Sequence, residues 1–371
     1  MGDTPPIRTT CPYCGVGCGV LASPRSDGNV TIKGDPDHPA NFGRLCVKGS
    51  SLADTINNPN RLLSPQINGT KSNWDEATQY IAEKFNSIIK QHGPDAIGFY
   101  LSGQLLTEDY YAANKLMKGF IGSSNVDTNS RLCMSSAVSA HKRAFGEDLV
   151  PGSYEDIEQA DLLLLVGSNM AYTHPVIFQR ILAAKEKNPN LFIAVLDPRR
   201  TATCELADQH IKLAPGSDGF FFNGLLSFLA NTNQIDHAYI NQYTEGFTQT
   251  LATALEQTPT TKSAAQACDI KDSELEELYQ RFASTSKVVT LFSQGINQSS
   301  TGTDKGNAII NCHLATGKIG KPGAAPFSLT GQPNAMGGRE VGGMANTLAA
   351  HRSFDSPKDR EVVEEFWQAP A

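Results

Sequence analysis

Continuous apolar runs alternate with amphipathic segments along much of the chain. Apolar runs cover 161–169, 191–200 and 287–295, and segments with helical spacing of apolar residues lie between and after them. Strands that are buried on both faces read as continuous apolar runs, and strand–helix alternation produces a parallel sheet covered by helices. The pattern therefore predicts an α/β fold with a doubly wound, Rossmann-like sheet over residues 140–325.

A shorter strand–helix unit precedes this sheet. Residues 73–93 have an N-cap candidate at Asn73, apolar residues at helical spacing and a stop signal at Gly93. The apolar run 96–103 and the helical pattern 107–122 follow. The sequence therefore predicts a first α/β segment over 63–139.

The two ends of the chain lack this periodicity. The first 50 residues are poor in helix signals and rich in Gly, Pro and Cys, which predicts a small domain wrapped around a metal centre. From Lys318 to Ala371 the chain is glycine-rich, and its loop character predicts a segment that lines a site rather than a packed core.

Charge and hydropathy exclude two classes of partner. Lys and Arg number 31 against 38 Asp and Glu, and the basic residues are dispersed, which argues against nucleic acid. No stretch approaches the roughly 18 apolar residues of a membrane span. The start of the chain has neither an apolar h-region nor a twin-arginine pair. The sequence therefore predicts a cytoplasmic protein without a membrane partner.

Eight cysteines in a reducing compartment are expected to be metal ligands or buried thiols rather than disulfides. Cys11, Cys14 and Cys18 form a C-x2-C-x3-C motif, and Cys46 follows after 27 intervening residues. Three bunched thiolates and one remote thiolate favour a [4Fe–4S] cluster. A structural zinc site is the alternative, although zinc ligands usually come as two C-x2-C-like pairs.

The residues around these cysteines support a metal centre. Gly15, Gly17 and Gly19 let the backbone approach the sulfurs closely. Lys48 lies two residues after Cys46 and is either solvated or a cation that tunes the cluster potential or bridges to a second redox centre.

Seven motifs in order resemble those of a known family. They are CPYCGVGC, GRLCVKGS, LSGQLLTEDY, TNSRLCMSSAV, GSNMAYTHP, LDPRRTATC and SLTGQPNAMGGREVGG. In this order they resemble the molybdopterin-guanine-dinucleotide oxidoreductases, and most closely the catalytic subunits of assimilatory nitrate reductases. The resemblance implies a [4Fe–4S] cluster that feeds a molybdenum bis-(molybdopterin guanine dinucleotide) centre.

The resemblance implies that Cys133 is the protein thiolate ligand of molybdenum, at the start of a helix over 133–145. Without the resemblance, Cys133 reads as a buried hydrophobic residue. Lys48 would lie between cluster and pterin, and Arg339 would attract an oxyanion at the substrate funnel. Matches to cofactor-contact positions are Gln104, Asn129, Gly216, Ser217, Asp218, Gln294 and Gln298.

The ends of the predicted strands supply further candidates, because ligands of open parallel sheets bind beyond the carboxyl ends of the strands. Backbone at Gly167 and Ser168, with Asn169 following, would contact phosphate, and Asp197 would bond a ribose or a guanine. Arg199 and Arg200 would grip pyrophosphate, although an exposed charged turn is the alternative. His174 packs, caps or acts chemically. Cys204, Cys268 and Cys312 read as buried thiols.

The resemblance also divides the chain into parts. It implies a [4Fe–4S] domain over 1–62, the first α/β segment over 63–139, the Rossmann-like domain over 140–325 and a return segment over 326–371. Family members are typically far longer, so we expect this chain to be an N-terminal portion.

The implied reaction is the two-electron reduction of nitrate to nitrite in nitrate assimilation. The expected electron donor is ferredoxin, flavodoxin or an NADH-dependent flavoprotein. A formate dehydrogenase is one alternative, but such enzymes typically have His after the metal ligand, where this chain has Met134. A non-catalytic iron–sulfur electron carrier of the same fold is the other alternative, and Cys133 argues against it.

Overall fold

The computed structural model describes residues 5–371, which form two compact units. The first unit runs to Leu132 and includes Gln332–Ala371, and the second is Cys133–Gly331. The second unit is therefore one continuous stretch inserted into the first. In the part of the chain that is described, no helix is both long and apolar enough to cross a bilayer.

The first unit begins with a small antiparallel sheet. Its three strands are β1 (Ile7–Thr10), β2 (Gly19–Pro24) and β3 (Val30–Gly34), in the order β1-β2-β3. The one-turn helix α1 (Val47–Ser50) and the short hairpin of β4 (Gln66–Ile67) and β5 (Thr70–Lys71) follow.

The predicted helix at 73–93 is confirmed as α2 (Trp74–His92). The Asn73 side chain accepts from the Glu76 backbone N–H at 2.9 Å, and the Glu76 carboxylate accepts from the Asn73 N–H, so the two form a capping box. The left-handed φ of 85° at Gly93 ends the helix.

The predicted strand and helix that follow are also confirmed, with shorter bounds. The strand β6 (Phe99–Leu101) pairs in parallel with β7 (Val126–Thr128). The helix α3 (Thr107–Asn114) continues as a π-helix over Lys115–Ile121. The one-turn helix α4 (Ser130–Cys133) ends this part of the chain.

The second unit contains the predicted parallel sheet. Its strands are β8 (Leu162–Val166), β9 (Phe192–Leu196), β10 (Gln209–Ile211), β11 (Val288–Phe292) and β12 (Ala325–Ser328). All pair in parallel in the order β10-β9-β8-β11-β12. Every residue of β8 and β11 is buried, as expected of strands covered on both faces. Because strand order reverses between β8 and β11, their carboxyl ends form the topological switch point.

Helices fill the connections of this unit. They are α5 (Ser135–Phe145), α6 (Tyr154–Gln159), α7 (Met170–Thr173), α8 (Pro175–Lys187), α9 (Asp218–Asn231), α10 (His237–Tyr243), α11 (Phe247–Gln257), α12 (Thr261–Cys268), α13 (Asp272–Ser284), α14 (Gln294–Asn297) and α15 (Gly302–Ala315). The core contains β8, β9 and β11 together with the apolar faces of α9, α12, α13 and α15.

The expectation that the chain after Lys318 is loop rather than packed core is wrong. Residues Ala325–Ser328 form the fully buried edge strand β12. In the first unit, the return segment forms α16 (Ala335–Glu340) and α17 (Pro357–Trp367), and Trp367 is completely buried beside Leu348 and Val363. Glycine density marks local turns but does not register the tertiary contacts that bury the residues between them.

Candidate functional site

The cysteine motif lies in the loop of the β1–β2 hairpin. Thr10 pairs with Gly19, and the Cys11 N–H donates to the Cys18 carbonyl at 2.9 Å, so these two cysteines close the loop. Within it, the Gly17 N–H donates to the Cys14 carbonyl at 3.3 Å. Gly17 has φ of 70°, which favours glycine. The spacing therefore folds Cys11, Cys14 and Cys18 around one loop.

The four cysteines of the predicted cluster share one electrostatic environment. Burial raises the pKa of Cys11 and Cys14, and raises that of Cys18 to about 12. The Cys46 thiol also raises the pKa of each of these three, so it lies within electrostatic range of them. Among residues 5–371, no three His, Cys, Asp or Glu side chains are close enough to hold a single metal ion.

Lys48 is exposed on α1, immediately after the Cys46 segment. Its charge lowers the pKa of Cys11 and Cys14, which places the ammonium within range of those thiols. Lys48 lines a pocket of about 530 Å³ together with Tyr13, Asp54 and Arg61. The Gln104 amide, also a predicted contact, donates to the Pro12 carbonyl of the cysteine loop at 2.8 Å.

A second group of polar residues follows the strands β6 and β7 of the first unit. A Cβ at Gly103 would lie 2.7 Å from the Asn129 amide oxygen and 2.8 Å from the Gln332 side chain, so these residues are packed closely. The Asn129 Oδ1, Ser130 Oγ and Gln332 Oε1 atoms are buried and have no hydrogen-bond partner within the described chain. Buried polar atoms normally have a partner, so this group is suited to a ligand.

In the second unit, Cys133 is held by two glutamines that follow strand β11. The Gln294 Nε2 donates to the Cys133 Sγ at 2.7 Å, and the Gln298 Nε2 donates to the Cys133 carbonyl at 3.0 Å. Cys133 closes α4, and the next helix begins at Ser135 rather than at residue 133 as predicted. The structure therefore brings three predicted residues together at the carboxyl end of β11.

The backbones at the ends of β8 and β11 come into direct contact at the switch point. The Gly295 N–H donates to the Gly167 carbonyl at 2.9 Å, and Gly167 has φ of 54°. A Cβ on Gly295 would lie 2.5 Å from the Gly167 Cα. Only glycines allow this approach, which seats Gln294 beside the segment 167–169.

Several buried polar atoms at this end of the sheet have no protein partner among residues 5–371. They are the Ser168 hydroxyl, the Gln294 amide oxygen and both side-chain polar atoms of Asn297. An unsatisfied buried polar atom costs about 1–3 kcal/mol, so such a group is expected to bind a polar ligand. These atoms fit a cofactor with many hydrogen-bonding groups.

Other predicted contacts are already engaged within the second unit. The Asn169 Oδ1 accepts from the Thr203 hydroxyl at 2.9 Å, and the Ser217 hydroxyl donates to the Ala214 carbonyl at 2.7 Å. Asp218 forms a buried ion pair with Lys305 at 2.8 Å. Gly216, another predicted contact, has φ of 92° and has only backbone atoms with which to bind a ligand.

His174 and the turn after β9 are also placed by hydrogen bonds. The His174 ring is buried, with Nδ1 2.9 Å from the Thr173 hydroxyl and Nε2 2.8 Å from the Thr330 carbonyl, which indicates packing. The Asp197 carboxylate accepts from the Arg199 backbone N–H at 2.8 Å. The side chains of Arg199 and Arg200 are exposed.

The remaining predictions concern Arg339 and three thiols. Arg339 lies on α16 and is buried. Cys204, Cys268 and Cys312 are confirmed as buried thiols, and burial raises the pKa of Cys268 to about 11. Sequence reasoning assigned no role to Ser130 and Asn297, and it named Gln332 only as part of the funnel motif. The signal of all three is a buried polar atom without a hydrogen-bond partner, which can be recognised only in the folded chain.

Comparison with known families gives the class of the protein. The molybdopterin oxidoreductase family matches residues 61–368, and the molybdopterin oxidoreductase Fe4S4 domain matches residues 6–58. The chain belongs to the molybdopterin oxidoreductase family. The matches confirm the predicted fold class, the [4Fe–4S] cluster and a molybdopterin cofactor.

Individual relatives define the similarity further. The chain is 54% identical to a nitrate reductase of Klebsiella oxytoca over 97% of its length, and 51% identical to a nitrate reductase of Shewanella frigidimarina over 98%. It spans only 41% and 39% of those two proteins. A periplasmic nitrate reductase of Desulfovibrio desulfuricans is 38% identical over 98% of this chain and is covered to 50%.

A solved structure supports the fold. Acetylene hydratase from Pelobacter acetylenicus matches 86% of this chain and 44% of its own chain with a TM-score of 0.76. At 22% sequence identity, this likeness shows the fold alone.

Proposed function

We propose that this chain carries the cluster- and cofactor-binding residues of a nitrate reductase, which reduces nitrate to nitrite with two electrons. The observation that carries the proposal is the identity of 54% and 51% to two nitrate reductases over 97% and 98% of the chain. The sequence feature Cys133-Met134, in place of a Cys-His pair, also favours nitrate over formate.

The switch point of the second unit is the proposed cofactor site. When bound, a molybdenum ion held by pterin dithiolenes supplies the two-electron redox chemistry. Cys133 is the proposed protein ligand, because a soft thiolate suits this metal. The glutamines at 294 and 298 hold its sulfur and its carbonyl. The unpartnered atoms of Ser168 and Asn297 supply hydrogen bonds to the cofactor.

We infer that the cofactor is the guanine dinucleotide form, present twice. The exposed Arg199 and Arg200 follow β9, at the edge of a parallel sheet where nucleotides bind. Two guanidinium groups suit a pyrophosphate, and Asp197 suits a ribose or a guanine edge. In the first unit, Asn129 and Gln332 offer a separate set of unpartnered oxygens.

The cysteine loop is the proposed entry for electrons. Cys11, Cys14, Cys18 and Cys46 would hold the [4Fe–4S] cluster, and the Lys48 cation would stabilise added electrons nearby. The donor in this proposal is ferredoxin, flavodoxin or an NADH-dependent flavoprotein. The buried Arg339 guanidinium would attract the nitrate anion.

We further propose an assimilatory, cytoplasmic role. Among residues 5–371 none of the eight cysteines forms a disulfide, and Cys204, Cys268 and Cys312 are buried, which favours a reducing compartment. Fractionation of cells that produce the protein tests this part of the proposal, and recovery in the periplasm would contradict it.

The function is tested by dye-linked assays. Because the chain spans 41% of the Klebsiella oxytoca enzyme, it is assayed alone and joined to the remaining length of that enzyme. We expect the joined protein to oxidise reduced viologen when nitrate is added and to ignore formate. Formate oxidation without nitrate reduction would overturn the proposal.

A further inference from the structure

Two different segments carry the four cysteines of the cluster domain. The β1–β2 hairpin fixes Cys11, Cys14 and Cys18 through its own backbone hydrogen bonds. Cys46 arrives after strand β3 and the turn 35–45, and it is the N-cap residue of α1 without a side-chain capping bond. The position of the Cys46 thiol therefore depends on the hydrogen bonds that connect its segment to the hairpin.

The completely buried side chain of Asn41 forms hydrogen bonds of this kind. Its Oδ1 accepts from the Gly19 N–H at 2.8 Å, and its Nδ2 donates to the Gly19 carbonyl at 3.0 Å. The same Nδ2 donates to the Arg44 carbonyl at 2.8 Å. Gly19 directly follows Cys18, and Arg44 lies two residues before Cys46.

The backbone around Asn41 is shaped for this arrangement. The Arg44 N–H donates to the Asn41 carbonyl at 2.9 Å, which closes a tight turn. Phe42 and Gly43 inside that turn have φ of 44° and 78°. A Cβ on Gly19 would lie 2.3 Å from the His38 ring. The His38 side chain, which belongs to the turn, therefore occupies the space that a side chain at position 19 would need.

We propose that Asn41 is a positioning residue that holds the Cys46 segment against the cysteine hairpin and so keeps the fourth corner of the [4Fe–4S] cluster in place. The proposal rests on the cluster of the proposed function and not on nitrate as the substrate. Only a carboxamide offers both an acceptor for Gly19 and two donor hydrogens for two carbonyls at this site. Aspartate of the same shape would turn the donor into an acceptor that faces those carbonyls.

The test measures cluster retention in the anaerobically purified full chain. We compare Asn41→Asp with Asn57→Asp, because Asn57 is an exposed amide of the same domain that bonds the turn near Gly28. Iron per chain, the rate of cluster loss to an iron chelator and the EPR spectrum of the reduced protein are recorded. Loss of outer-shell partners of metal ligands typically costs about 10- to 100-fold, so we expect chelator loss to accelerate by that factor in Asn41→Asp alone.

A second variant separates positioning from general stability. Arg8→Met removes the ion pair between Arg8 and the buried Asp35 and so destabilises the same domain without removing a hydrogen bond of the Asn41 side chain. The two variants are compared at temperatures at which their free energies of unfolding are equal. Under these conditions we expect Arg8→Met to keep the wild-type EPR spectrum and Asn41→Asp to change it. If Asn41→Asp does not accumulate, Asn41→Ser is judged by the same criteria.

Two results would overturn the proposal. One is a wild-type rate of cluster loss with an unchanged EPR spectrum in the Asn41 variant. The other is equal cluster loss in Arg8→Met and the Asn41 variant at equal stability, because retention would then follow domain stability alone. Neither readout requires nitrate, so failure here is distinguishable from failure of the proposed function.

Discussion

At the scale of single residues, the cysteine hairpin depends on local contacts, whereas Cys133 depends on a contact with a distant residue. Cys11, Cys14 and Cys18 lie within eight residues, so the hairpin that holds them is set by their own neighbours. The tie through Asn41 could not be predicted, because Gly19 is 22 positions away and only the folded turn brings them together. The same holds for Gln294, which reaches Cys133 over 161 positions.

Replacement of Cys133 tests its proposed role as a metal ligand. Since even an outer-shell partner is worth about 10- to 100-fold, we expect Cys133→Ala to lower molybdenum per chain in the joined protein by at least that range. Cys204→Ala is the matched control, because Cys204 is buried to a similar extent in the same unit. Equal molybdenum content in both variants would show that Cys133 does not bind the metal.

A buried histidine gives the second unit a defined pH dependence. The His313 Nε2 lies 2.8 Å from the Thr290 hydroxyl, and Nδ1 lies 2.8 Å from the Lys318 carbonyl. Burial lowers the pKa of His313 from 6.5 to about 4, so the unfolded chain binds more protons between these values. The free energy of unfolding should therefore fall on acidification from pH 6.5 to 4, by on the order of 3 kcal/mol.

Urea unfolding at a series of pH values measures this effect. His313→Gln should flatten the acid limb, whereas His92→Gln, at an exposed position on α2, should leave it unchanged. An identical acid limb in wild type and His313→Gln would contradict the assignment.

At the scale of secondary-structure elements, the accuracy of prediction followed how local the cause is. The helix α2 was predicted because Asn73, Glu76 and Gly93 act within its own sequence. The strand β12 was missed because its residues, APFS, have no strand pattern of their own and are ordered by pairing with β11. The π-helix after α3 was also missed, since helical spacing alone does not distinguish the two forms.

The glycine contact between β8 and β11 is the element-scale feature on which the site most depends. Gly295→Ala would place a Cβ 2.5 Å from the Gly167 Cα, and backbone atoms there cannot rotate away. Overpacking of this kind costs about 1–3 kcal/mol. We expect that loss in urea unfolding of the second unit, together with a lower molybdenum content.

The matched control for this change is Gly219→Ala. Gly219 lies in α9, where an added Cβ makes only ordinary contact with Lys305 at 3.8 Å. Alanine is favoured over glycine in a helix by about 0.5–1 kcal/mol, so this variant should be as stable as wild type or more so. Equal stability of the two variants would show that the close approach at Gly295 tolerates a side chain.

At the scale of the whole chain, sequence pattern and family agree on the architecture. Alternation of apolar runs predicted the parallel sheet, and the structure gives the strand order that places a switch point beside Cys133. The hydropathy pattern does not show that Cys133–Gly331 is inserted into the first unit. That division depends on residues Gln332–Ala371 joining the first unit, which is a long-range tertiary contact. The proposal of nitrate as substrate rests on relatives and on Met134, since the fold alone serves enzymes of different chemistry.

Metal content is the most direct test of the central claim, that these residues hold an iron–sulfur cluster and a molybdenum cofactor. The joined protein is purified without oxygen from a molybdenum-replete host, and iron, molybdenum and zinc are counted per chain. We expect about four iron atoms, one molybdenum atom and no stoichiometric zinc. Zinc in place of iron, or iron without molybdenum, would contradict the account.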